Sequence, residues 1–214
     1  MQKNKKEIKK ILEILEKTYP NSTTALKYKN TFELLIAVML SAQTTDNQVN
    51  KVTPTLFSKF KTPEDFAKLK PEELEKYIKG VGLYKTKSKN IINTCKMLLE
   101  KYNGKIPETR EELIKLPGVG RKTANVMLSV AFGKDAIAVD THVFRVANRI
   151  GLANSKNVKK TEEDLMKNIP QELWRKAHHW LIYHGRNICK ARNPECKKCP
   201  IKEYCEYYKK NGGV

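Results

Sequence analysis

A proline and glycine turn, Leu116-Pro117-Gly118-Val119-Gly120, delivers Arg121 and Lys122 to the start of a long apolar run that ends near Ala131. A lysine amine at the rim of a core is a candidate nucleophile. A free lysine has a pKa of about 10.4, so roughly one amine in a thousand is neutral near pH 7.4. A helix start disfavours a cation by about 0.3 to 1 kcal/mol, less than one pKa unit. Desolvation and neighbouring cations such as Arg121 must therefore supply the remainder if Lys122 attacks anything. The competing role is contact with phosphate. Further on, Asp140 opens the amphipathic stretch DTHVFRVANRI, where aspartate is a good helix cap. Cys189, Cys196, Cys199 and Cys205 follow C-x6-C-x2-C-x5-C, whereas Cys95 stands alone as a buried, inert thiol. Four thiols this close indicate a metal centre, and their spacing leaves zinc and an iron–sulfur cluster both open. Between the first two, CKARNPEC carries Lys190 and Arg192 on a loop fixed at both ends, suited to phosphate contact or to plain solvation.

These residues need elements to hold them. Alternation of apolar and polar residues never persists, and apolar positions return every three or four residues, so the fold is predicted to be all-α. FELLIAVMLSAQ, from Phe32 to Gln43, is apolar nearly all round and is expected to be the most buried helix of its lobe. Pro71 opens PEELEKYI, Thr109 with Glu112 forms a capping box, and Pro54 is expected to kink or break the segment from Asp46 to Phe60. Ile8, Ile11, Leu12 and Leu15 mark an amphipathic first helix, interrupted by Glu7, Glu13 and Glu16 and hence no targeting peptide. No apolar run reaches membrane-span length. A soluble, cytoplasmic chain with reduced cysteines is expected.

The chain makes one turn twice. IKGVGLYKTKSKNII (78–92) echoes LPGVGRKTANVML (116–128), each with Gly-Val-Gly before a lysine and a helix. Gly80, Gly82, Gly118 and Gly120 suit backbone at positive φ or in close approach to something else. Such a turn leaves the first N–H groups of its second helix free for a phosphate, which positions a strand without reading bases. Lysine and arginine number 42 against 23 aspartates and glutamates, a formal charge of +19 spread along the whole chain. A polyanion is the natural partner, with a lysine-rich surface kept for solubility as the alternative.

LPGVGRKTANVMLSVAFG followed by AIAVDTHVFRVANR resembles the helix-hairpin-helix DNA glycosylases, and the cysteine tail narrows the resemblance to the endonuclease III family. The likeness runs from FELLIAVMLSAQTTD to the last cysteine. It implies a two-lobed fold, with a six-helix lobe at residues 22–133 and a cluster lobe at 1–21 and 134–214, DNA lying across the cleft between them. It implies that the cysteines hold a 4Fe-4S cluster of structural role. It places Asp140 opposite Lys122, where an anion would raise the amine's pKa, so that its benefit must come later in the reaction. It makes Gly118, Val119, Gly120 and Arg121 hairpin contacts to DNA, Gln43 the filler of the hole left by a flipped nucleotide, and Leu83 a wedge on the opposite strand. The implied function is a monomeric, bifunctional glycosylase and abasic-site lyase acting on oxidised pyrimidines in double-stranded DNA. Two alternatives stand beside it: a glycosylase for another damaged base, and a zinc-holding DNA adaptor without chemistry. His178, His184 and Trp180 are read as packing and polar support.

Overall fold

The computed structural model describes residues 3–211. Among them there is no strand, and no helix is long and apolar enough to cross a membrane. The chain forms two compact units, one from residues 25–132 and one from residues 1–24 and 133–214, whose extreme ends lie outside the described residues.

In the contiguous unit, α2 (Thr31–Ser41) starts where the Asn30 side chain accepts from the Glu33 N–H. Its residues Glu33 to Leu40 are all buried, with Leu34, Leu35, Ile36 and Leu40 fully so, as the all-round apolar pattern requires. Burial of each such side chain is worth about 1.5–3 kcal/mol. Helix α3 (Asp46–Lys59) runs through Pro54 as one helix, so of the expected kink or break the break does not occur. A proline removes one backbone donor but leaves the flanking turns able to continue when tertiary packing holds them, and Val49, Thr53 and Leu56 here are buried. Short α4 (Pro63–Ala67) presents Phe66, packed edge-on to Phe32 at 5.5 Å. Helix α5 (Pro71–Ile78) begins at Pro71 as anticipated, and α6 (Tyr84–Tyr102) follows the first glycine turn.

Thr109 caps α7 (Arg110–Leu113) by accepting from the Glu112 N–H, but the expected reciprocal half of a capping box is missing. The Glu112 carboxylate instead accepts from the Tyr102 hydroxyl and the Lys115 ammonium. Helix α8 (Arg121–Val126) passes directly into a π turn at Met127–Ala131, closed by the Phe132 N–H donating to the Met127 carbonyl.

The second unit joins the two ends of the chain. Helix α1 (Lys5–Thr18), capped by Asn4, packs its Ile11 and Leu15 into a core shared with α9 (Thr141–Ile150), α10 (Val158–Asn168) and α11 (Trp174–Asn187). Trp180 and Leu181 of α11 sit in that core, and the extended link Ala136–Val139 is buried along its whole length. A short α12 (Glu206–Lys210) closes the unit.

His178 and His179 of α11 stack edge to face at 4.9 Å. Burial first, and then the positive charges of His178 and Arg175, push His179 down to about 3. A histidine depressed in the folded state contributes full stability above its unfolded value near 6.5 and loses it as pH falls toward the folded value. Between pH 6.5 and 5, His179→Gln should therefore lose less stability than the parent chain, by about 1.4 kcal/mol per pH unit at most; urea denaturation at a series of pH values measures this.

Candidate active site and metal centre

The two Gly-Val-Gly turns share a hydrogen bond. Val81 N–H donates to the Ile78 carbonyl and Val119 N–H to the Leu116 carbonyl, each at 3.0 Å, and both valines are buried. The valine plugs the turn into the core while the glycines shape it. Of the four glycines, only Gly118 takes positive φ, +76°. A Cβ there would meet Asn90 of α6 at 2.8 Å, so Gly118 satisfies both sequence arguments. Gly82 meets the closeness argument alone, since a Cβ would approach the Gln43 carbonyl to 3.1 Å; at Gly80 the near atom, Gln48 Nε2 at 2.5 Å, ends a flexible side chain that can move aside. Gly120 fulfils neither argument, since nothing lies within 4 Å of its Cβ position. It stands at the N-cap of α8 with no side-chain cap, so the approach to this helix start is open. Thr94 of α6 donates to the Pro117 carbonyl at 2.8 Å and so fastens the turn from beneath.

Arg121 and Lys122 are exposed on the first turn of α8, and the next three residues, Thr123, Ala124 and Asn125, are buried. The rim-of-core placement read from the sequence holds for the backbone, while the amine itself reaches solvent.

Gln43 lies beyond the end of α2 at φ +53°, and Leu83 precedes α6 at φ +57° with 56 % of its surface exposed. Both are exposed side chains on left-handed backbone. Beneath them is a residue that the sequence reading passed over. Lys87 is only 6 % exposed, and its Nζ donates to the carbonyls of Leu40 (2.7 Å) and Ala42 (2.6 Å) and to Thr44 Oγ1 (3.0 Å). Burial pulls this ammonium down to about 8. The available signal was phase: Lys87 shares a helical face with Ile91, Thr94 and Leu98, all buried.

In the other unit, Asp140 caps α9, its Oδ1 accepting from the Val143 N–H at 2.7 Å. Its carboxylate is partly exposed, so the structural role leaves it free for a second one. His142, two residues along, is held below its ordinary pKa by burial, against the opposing pull of Asp140.

Cys189, Cys196, Cys199 and Cys205 line one cavity whose other walls include Ile150, Ile188, Tyr207 and Tyr208. Three are buried, none forms a disulfide, and burial raises Cys196, Cys199 and Cys205, with Cys199 pushed up to about 11. Among the described residues no three His, Cys, Asp or Glu side chains form a group that could hold a metal ion. Arg149 donates to the Lys190 and Ala191 carbonyls and Arg145 to that of Cys189, so the loop after the first cysteine is fixed by guanidinium forks. His184, expected as polar support, bridges Tyr19 and Cys199 at 3.1 and 3.5 Å. Lys190 is not the open cation that the sequence suggested: it pairs with Glu195 at 2.6 Å. The pair is exposed and weakened by solvent, so a phosphate can displace it. Arg192 is exposed. Cys95 is fully buried and pushed up to about 12 by burial, the inert thiol anticipated.

A profile of HhH-GPD superfamily base excision DNA repair proteins matches residues 36–171. The chain is 55 % identical to endonuclease III of Rickettsia conorii over 201 residues, covering 94 % of this chain and 96 % of that protein. To endonuclease III of Escherichia coli K12 it is 52 % identical over 207 residues, 97 % and 98 % of the two chains. A solved endonuclease III trapped as a covalent intermediate with DNA superimposes with a TM-score of 0.94 at 50 % identity, over 99 % of this chain and all of that one. A non-covalent endonuclease III–DNA complex gives 0.95 at 49 % identity, over the whole of both chains.

Cys199→Ser removes a buried sulfur from the centre of the thiol cavity. The variant should lose bound metal and most of its soluble yield; elemental analysis showing full metal content would exclude Cys199 as a ligand.

Proposed function

Given that the chain belongs to the HhH-GPD superfamily and, within it, to the endonuclease III family, and is a DNA-binding base excision repair glycosylase and abasic-site lyase, we propose that Lys122 is its nucleophile. The observation that carries this reading is an exposed lysine on the first turn of α8, directly behind a turn whose last residue, Gly120, has nothing within 4 Å of its Cβ position. The turn offers backbone donors and a helix start to the phosphates of double-stranded DNA, and the +19 charge draws the duplex in. Arg121 and Arg192 add side-chain contacts, as does Lys190 once released from Glu195. Extruding the nucleotide costs a few kcal/mol, less for a damaged base; Gln43 fills the space it leaves and Leu83 wedges into the opposite strand.

The Lys122 amine attacks the sugar C1′, the C1′–N bond breaks, and the base departs with its electron pair and takes up a proton. The ring C1′–O4′ bond then breaks as the nitrogen lone pair forms the C1′=N bond, and O4′ takes up the proton given up by the amine, leaving an opened sugar joined to Lys122 as a protonated imine. Loss of the acidified C2′ proton then expels the 3′ phosphate oxygen, cutting the strand by β-elimination, and water releases the lysine. Asp140 stabilises positive charge developing on the sugar and moves protons. Because Lys122 reaches solvent in the free protein, water must be excluded from the amine by the bound strand itself. Oxidised pyrimidines are the proposed lesion class.

Cys189, Cys196, Cys199 and Cys205 are the proposed ligands of a 4Fe-4S cluster. Four thiols, three of them buried and none in a disulfide, line one cavity, an all-sulfur donor set that suits a cluster of this kind. Bound there, the cluster would act as a staple for the segment that carries Lys190 and Arg192.

Lys122→Ala should still bind damaged duplex but lose borohydride trapping and strand nicking by a factor on the order of a thousand or more. Trapping at the parental level would move the nucleophile elsewhere, and absence of trapping in the parent would favour a non-catalytic adaptor. Asp140→Asn retains an N-cap acceptor. It should therefore keep the melting temperature within a few degrees while slowing single-turnover base release by about a hundredfold; an unchanged rate would confine Asp140 to capping.

A further inference from the structure

Lys87 has no part in the chemistry above, yet it is a nearly buried cation in a chain whose other cations are mostly at the surface. An ammonium has three N–H donors, and here each has an acceptor: the Leu40 carbonyl, the Ala42 carbonyl and Thr44 Oγ1. The two carbonyls belong to the C-terminal end of α2, where unpaired acceptors and the helix dipole favour a cation. Thr44 Oγ1 also accepts from the Gly82 N–H at 3.0 Å. The lysine, the threonine and the glycine thus form one chain of bonds from the end of α2 to the turn before α6.

Gln43 and Leu83 sit on the two segments so joined, and both occupy the left-handed backbone region. Residues other than glycine stay there only when their surroundings impose it. Neither side chain is needed to fill the core, since both are exposed. We propose that Lys87 is a positioning residue, whose ammonium fixes the Gln43 loop in register with the Leu83 turn so that both side chains enter the duplex together. The inference rests on the reading of Gln43 as the filler of the emptied space and Leu83 as a wedge on the opposite strand. Two fillers that had to be ordered separately at the moment of binding would each lose freedom then; a latch made during folding removes that cost beforehand.

The same face of α6 serves the second turn. Asn90 lies against Gly118, and Thr94 holds the Pro117 carbonyl. One helix therefore registers the filler residues on one side and the Lys122 hairpin on the other, all within the 25–132 unit.

The test is a double-mutant cycle on nicking of a preformed abasic site in a duplex. It is read together with the fluorescence of 2-aminopurine placed opposite a tetrahydrofuran abasic analogue, which reports unstacking of the orphan base. Lys87→Met keeps the apolar stem and removes the ammonium. Thr44→Val keeps the lysine, removes the shared acceptor, and stands in if Lys87→Met gives no soluble protein. Either variant should lower nicking by on the order of tenfold and diminish the fluorescence change with it, and Gln43→Ala should cost far less in that background than alone. Additive losses, or slowed nicking with a full fluorescence change, would overturn the latch. Defective Gln43→Ala and Leu83→Ala beside unaffected Lys87→Met and Thr44→Val would overturn the latch alone. If Gln43→Ala and Leu83→Ala were themselves silent, the filler reading would fall and the latch with it.

Discussion

Burying a charge is the constraint on which the 25–132 unit depends. An ammonium removed from water costs several kcal/mol unless every donor finds an acceptor, and Lys87 meets that condition at the end of α2. The location is informative because α2 is apolar on every side. A helix of that kind gains by burial in any rotation about its axis, so its side chains do not by themselves define its orientation. Its polar ends do: Asn30 caps the start, Glu33 accepts from the Lys29 N–H, and Lys87 gathers the last carbonyls. Specificity in this core comes from a few satisfied polar contacts, while the energy comes from the leucines.

The second unit solves a related problem with guanidinium groups and an imidazole. The segment from Cys189 to Cys205 has little regular structure, and its carbonyls need partners. Arg145 and Arg149 project from α9 and supply them, and the Arg149 guanidinium also lies over the Tyr207 ring at 4.6 Å. Tyr19, just past the end of α1, bonds to His184, which in turn meets Cys199. The thiol cavity is thus braced by three helices before any metal is considered. This makes a staple at that place a completion of existing order.

Periodicity made the helical elements legible because it reports burial directly: α1, α2, α5 and α9 lie where the apolar spacing put them. Helix starts were legible where the competition was weak, as at Pro71 and Asp140. Failures occurred where a side chain had a better partner than the one its spacing suggested. Glu112 left its capping box for Tyr102 and Lys115, and Lys190 found Glu195. Pro54 was tolerated because neighbouring residues of α3 are anchored in the core. The glycine turns were recognised as turns, but which residue carries positive φ was not: in the first turn that burden falls on Leu83 rather than on a glycine. Lys87 was hidden for the most general reason. A lysine in a lysine-rich chain reads as surface, and only its helical phase among buried neighbours marks it otherwise.

The arrangement of the two units along the chain orders events during synthesis. Residues 25–132 form a contiguous unit, able to fold as soon as they leave the ribosome, whereas α1 packs against α11 and so waits for a partner translated at the far end. At synthesis speeds of about 5–20 residues per second, that wait lasts on the order of ten seconds or more. During it, the Ile8, Ile11, Leu12 and Leu15 stripe lies uncovered on the nascent chain. Chaperone demand should accordingly concentrate on the first helix, and the lysines along its other face give it solubility for that interval.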